Sequence, residues 1–270
     1  MKNSKVLSVL VVLAMTSSMF GALIAYEGWD AAVGSDITDC TTGTGFSDAG
    51  WVAGTAWGSA GITGSDSTIV PGLTYAQGGL VLITSGNAAR MSPPIRAVAN
   101  DDGWFMNRTI STTPGTVMWF SYLFMTTNAS VYATDLDCGP SAAFEACATP
   151  GIHWSEEFKF VNGGNTGVKP VPNQTYFVVA KYTSGADAEL WVDPVLNVEP
   201  TSGTSGKTSG TFGNGINFRI KKNANQPLYK VATFDEIRMG DTYADVAPLV
   251  PEPAVGIIAL LGAFALRFRK

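Results

Sequence analysis

Paired carboxylates are the groups in this 270-residue chain best suited to chemistry, because two facing carboxyl groups can cleave a glycosidic bond. Retention of configuration needs them ~5–5.5 Å apart and inversion ~6.5–9.5 Å apart. The nearest approaches are Glu156-Glu157, Glu189 with Asp193, and Asp235-Glu236. Adjacent residues of a strand point to opposite faces, so Glu156 and Glu157 cannot serve one site. Glu189 and Asp193 share a face but stand ~13 Å apart at ~3.3 Å per residue. There is no Glu-x-Asp-x-x-Glu triplet, whose period-2 spacing would align its first pair. His153 is the only histidine, and no Gly-x-Ser-x-Gly elbow accompanies it. It is expected at a strand end, and no catalytic residue is assigned.

Binding chemistry is better represented. Trp51, Trp57 and Trp191 are the candidate aromatic platforms for a sugar ring. Alternation puts Leu190 and Val192 on one face of a strand, with Glu189, Trp191 and Asp193 on the other. Asp101, Asp102, Asp135 and Asp137, read as loop residues, offer the oxygen ligands a Ca²⁺ would take, although no cofactor is required. Zinc is not expected, because no CxxC spacing exists. Cys138 and Cys147, nine residues apart, are the expected disulfide, leaving Cys40 free.

The two ends carry addresses. Lys2 and Lys5 precede an apolar stretch from Val6 to Ala14 and then small residues, the order of a secretory signal peptide. Cleavage is expected after Ala25, with Ala22 the competing site. At the other end, Pro251-Glu252-Pro253 precedes an uncharged run from Ala254 to Leu266 and the basic tip Arg267-Phe268-Arg269-Lys270. Thirteen helical residues span roughly 20 Å, short of a ~30 Å hydrocarbon core, which suits a temporary hold. The terminal cations favour a cytoplasmic tip, and the prolines keep the triplet extended outside.

This tripartite tail resembles the PEP-CTERM sorting signal. The resemblance implies a secretion translocon and an exosortase-type membrane protease as partners. It also implies export through the inner membrane, transient anchoring, and a final place at the cell surface or in an extracellular matrix, often beside exopolysaccharide.

Residues 1–25 are thus expected to be a signal peptide, 26–248 one domain, and 249–270 the sorting signal. Of 17 basic residues five lie in these ends, and of 22 acidic ones only Glu252 does. The body therefore carries 12 basic against 21 acidic residues, a net of about −9. That charge excludes nucleic acid as a partner and leaves a neutral glycan compatible.

The elements that must position any site are short runs rich in Val, Ile, Phe, Tyr, Trp and Thr, broken by Gly, Asn, Asp and Pro. Strands are predicted at 79–84, 103–110, 116–127, 130–134, 153–161, 175–183, 188–192, 216–222 and 230–239. Thr175–Thr183 is nearly all apolar, as in a central strand covered on both faces. The stretches 36–67 and 201–213 read as long surface connections. The expected fold is all-β, an antiparallel two-sheet jelly-roll sandwich, with helices only in the targeting ends.

The series Tyr26-Glu27-Gly28-Trp29-Asp30, Thr116-Val117-Met118-Trp119-Phe120-Ser121, Leu190-Trp191-Val192-Asp193-Pro194 and Phe234-Asp235-Glu236-Ile237-Arg238-Met239-Gly240 resembles concanavalin A-like, laminin-G-related domains. The expected role is a non-catalytic glycan- or exopolysaccharide-associated module. A polysaccharide-cleaving enzyme on the same fold, or a structural spacer, is the alternative.

Overall fold

The computed structural model describes residues 22–47, 50, 52–55, 67–91, 103–112, 114–127, 134–140, 150–153, 157–160, 163–208, 216–223 and 231–250. The signal stretch before residue 22 and the tail from Pro251 onward lie outside them.

Sixteen strands are described: β1 Leu23–Glu27, β2 Val52–Thr55, β3 Ser67–Pro71, β4 Ala76–Gln77, β5 Leu80–Val81, β6 Asn87–Met91, β7 Gly103–Thr109, β8 Val117–Thr126, β9 Thr134–Pro140, β10 Pro150–His153, β11 Glu157–Phe160, β12 Thr175–Thr183, β13 Asp187–Val192, β14 Thr204–Thr208, β15 Ile216–Asn223 and β16 Ala232–Gly240. One short helix follows, α1 Tyr243–Val246. The expected antiparallel two-sheet sandwich is what forms. One sheet runs β14-β13-β12-β8-β16-β6-β3 with β1 also on β16, the other β11-β10-β9-β15-β7-β2, and β4 pairs with β5 alone. Among the described residues no helix is long and apolar enough to cross a membrane.

The predicted strand 175–183 has its expected bounds, and the one at 153–161 divides into β10 and β11. Of the strand placed at 130–134, residues 130–133 lie outside the described residues; β9 covers Thr134–Pro140, so Asp135 and Asp137 are strand residues rather than loop residues. Strands β1, β2, β3, β6 and β14 fall where none was predicted, being short or rich in Gly, Ala, Ser and Thr.

Between the sheets lies a core in which Phe120, Tyr122 and Phe124 of β8 and Tyr176, Val178 and Tyr182 of β12 meet Phe158 and Phe160 of β11. Phe124 and Phe158 pack edge to face at 5.4 Å. The opposite face of the eight-stranded sheet is also buried. Trp119, Leu123, Phe177, Val179 and Trp191 lie there under Leu73, Tyr75, Leu82, Leu196, Tyr243 and Val246. The molecule is thus two sheets with a third layer of hairpin, loop and helix on one side. Two buried faces explain why β12 reads as a nearly continuous apolar run, Tyr176–Ala180, interrupted by Lys181.

Strand β16 contains a bulge between Asp235 and Arg238, where two of its residues oppose one of β8. Glu236 takes φ +50° there. The bulge resets alternation, so that Phe234, Ile237 and Met239 all reach the inter-sheet core.

Candidate functional site

The six-stranded sheet brings polar and charged sequence positions into common register rows. Phe158 and Phe160 are buried between the sheets, so Glu157 and Lys159 of the same strand belong to the outward face. Antiparallel register carries that alternation across the sheet. One row reads Lys159, Gly151, Asp135, Lys221, Phe105, Gly54. The next reads Asp137, Arg219, Asn107, Val52. A third pairs His153 with Glu157. Arg108 sits on the other parity in the same sheet and is buried, which fixes the assignment independently.

Basic and acidic sequence positions stand opposite each other in these rows. Asp135 stands across from Lys221 and Asp137 from Arg219. Among the described residues no group of three or more His, Cys, Asp or Glu is placed to hold a metal. Asp101 and Asp102 lie outside the described residues.

Of the carboxylates weighed for catalysis, Asp193, Asp235 and Glu236 are engaged within the fold, and Glu156 lies outside the described residues. Asp235 is buried and accepts the amide hydrogens of Leu73 at 2.7 Å and Glu236 at 2.8 Å. Burial pushes its carboxyl up to about 8, against the lowering effect of the Leu73 hydrogen bond. Glu236 accepts from the amide of Ser85 at 2.5 Å, the Tyr26 hydroxyl at 3.1 Å and Arg238 at 2.6 Å. The Arg238 guanidinium lies 4.3 Å from the Tyr26 ring centre. Burial raises the Tyr26 phenol to about 12, so it stays a donor. Glu27 and Arg108 form a second buried ion pair, with Arg108 stacked 4.1 Å over Phe46. Asp193 caps the edge of β12 by accepting from Phe177 at 2.8 Å, and burial raises its carboxyl. With Asp235, Glu236 and Glu27 about 1% exposed or less, none of the three reaches a polysaccharide.

Trp191 requires a correction. The alternation holds, with Leu190 in the inter-sheet core and Trp191 on the other face. That other face is not solvent. Trp191 is 8% exposed, stacks on Trp119 at 5.6 Å, and donates its indole hydrogen to the Ser202 carbonyl at 2.7 Å. A Cβ at Gly203 would sit 2.8 Å from its ring, so loop 201–203 covers it and it is no sugar platform. Trp51, Trp57 and Cys147 lie outside the described residues. Cys138 sits on β9 opposite Phe218, while Cys40 is a buried free thiol raised to about 11 by burial. His153 is the last residue of β10, as expected.

Asn107, Arg219 and Lys221 were not singled out from sequence. Their signal was present: β15 alternates Ile216, Phe218, Ile220 with Asn217, Arg219, Lys221.

No protein-family model and no curated protein matches this chain. Several solved structures are similar in strand arrangement. The globular domain of T. cruzi calreticulin aligns with 10% identity and a TM-score of 0.46, over 83% of this chain and 90% of that one. Domain 4 of AbnA, an extracellular arabinanase from Geobacillus stearothermophilus, in complex with arabinotriose, aligns with 14% identity and a TM-score of 0.44, over 84% and 97%. The exoplasmic/lumenal domain of VIP36 in its Ca²⁺-bound form aligns with 8% identity and a TM-score of 0.40, over 75% and 88%.

Proposed function

We propose that this protein is an exported, exosortase-sorted surface or matrix protein whose sandwich binds a neutral glycan without cleaving it. The observation that motivates the binding reading is the backbone register of the six-stranded sheet, which places Asn107 opposite Arg219, Arg219 opposite Asp137, and Lys221 opposite Asp135. Paired amide, guanidinium and carboxylate groups suit the hydroxyls of a sugar, which both donate and accept. The register pairs acidic with basic positions and the body is acidic, so a polyanionic glycan is disfavoured. The non-catalytic part of the reading is supported by the burial of Asp235, Glu236 and Glu27.

A glycan array probed with residues 23–250 tests this, followed by reducing-end release on the hits. Binding of neutral polysaccharide, lost in Asn107→Ala with Arg219→Ala and without new reducing ends, is the expected result. Release of reducing ends would replace the binding reading by the enzyme, and silence on both assays would leave a spacer.

A further inference from the structure

The chain leaves the described domain from an apolar edge. Residues 248–250 run antiparallel to β5: the Ile83 amide donates to the Pro248 carbonyl at 2.8 Å, and the Val250 amide to the Val81 carbonyl at 2.9 Å. Leu82 bridges Leu249 between these bonds. Leu82 and Leu249 pack inward on the Tyr75–Phe177 layer. The alternate positions face outward and are again aliphatic: Val81 is 44% exposed, Ile83 38% and Val250 47%. A solvated sheet face of this kind ordinarily carries polar side chains.

The next residues decide what covers the patch. Only Pro251, Glu252 and Pro253 separate Val250 from the uncharged run Ala254–Leu266. Three extended residues reach roughly 10–11 Å, so the apolar run cannot enter a bilayer without bringing the membrane surface to within about that distance of Val250. We propose that Val81, Ile83 and Val250 form a lipid-contacting foot that rests on the interfacial region of a zwitterionic membrane while the tail is inserted. The proposal rests on the reading that Ala254–Leu266 enters the bilayer. The aliphatic side chains have the chemistry of an interfacial contact. The acidic body disfavours an anionic lipid surface, which commits the partner to neutral headgroups.

The test uses the full chain with Cys138→Ser and Cys147→Ser, with the buried Cys40 retained. A fluorophore is attached at Val81→Cys, at Ile83→Cys, or at Val171→Cys, an exposed valine next to the turn whose Asn173 amide meets Thr126. The chains are reconstituted in phosphatidylcholine vesicles containing doxyl-labelled lipid. Quenching at 81 and 83 is expected to exceed that at 171 by roughly two-fold or more. Equal quenching at all three sites in chains that float with the vesicles overturns the foot alone. Chains that do not float overturn the inserted tail, and the foot with it.

Discussion

Two buried ionic groups make this sandwich sensitive at the scale of single residues. Glu27 and Arg108 are both almost wholly inaccessible, and the carboxylate also accepts the Trp29 amide at 3.0 Å. Removing the guanidinium leaves a desolvated charge, so Arg108→Met is expected to cost about 3–5 kcal/mol in urea unfolding. Glu27→Gln added to Arg108→Met removes the orphan charge and should restore a good part of that loss. If the double variant is no more stable than the single, the pair is not the source. Asp235 acts through pH instead. Its carboxyl is held up to about 8 by burial, whereas the unfolded chain releases that proton near ~4. From about pH 4 to 8 the folded state therefore binds more protons, and its stability falls as pH rises. Asp235→Asn should flatten that slope in thermal melts between pH 5 and 8, and an unchanged slope would exclude Asp235 as its origin.

At the scale of elements, much of what positions the candidate face was legible and some was legible only in part. The two-sided burial of β12 and the alternation of β13 both show in the sequence, yet alternation cannot say whether an outer face meets water or a third layer. Trp191 was misjudged for that reason. The run Phe234-Asp235-Glu236-Ile237-Arg238-Met239 spaces its apolar residues by three and then two, the mark of a bulge that resets facing. Strand β1 was hidden because its first residues read as the end of a secretion signal. Ala25 is fully buried, Ile24 is 8% exposed, and Leu23 pairs with Gly240. The segment is gripped from the other side too, since a Cβ at Gly45 would lie 1.9 Å from the Ile24 carbonyl. A chain beginning at Tyr26 loses this buried isoleucine, and should be less stable than one beginning at Leu23 by about 2–3 kcal/mol. Equal melting of the two would show that residues 23–25 contribute nothing. Of the two expected cleavage positions, only the one after Ala22 spares the strand.

For the whole molecule, what matters is how close the proposed sorting motif stands to folded structure. The Val250 amide is tied to β5, and Pro251 follows at once. On the proposed sorting reading, a membrane-embedded protease grips the extended peptide on both sides of the bond it cuts. The two backbone bonds of residues 248–250 must then open before the triplet can be seated, at a net ~0.5–1.5 kcal/mol each. Processing in an exosortase-bearing host should consequently accelerate several-fold when a Gly-Ser-Gly-Ser-Gly spacer is inserted between Val250 and Pro251, because ~1.4 kcal/mol is a tenfold change in an open population. Pulse-labelled conversion of precursor to mature chain measures this directly. Pro251→Ala with Glu252→Ala should leave uncut precursor in the inner membrane whether or not the spacer is present. If the spacer leaves the rate unchanged while the double substitution blocks cutting, the triplet is the recognised element and the β5 clasp does not restrain it. If the double substitution is processed normally, the assignment of the triplet itself is wrong, and the apolar edge formed by Val81, Ile83 and Val250 belongs to some other contact.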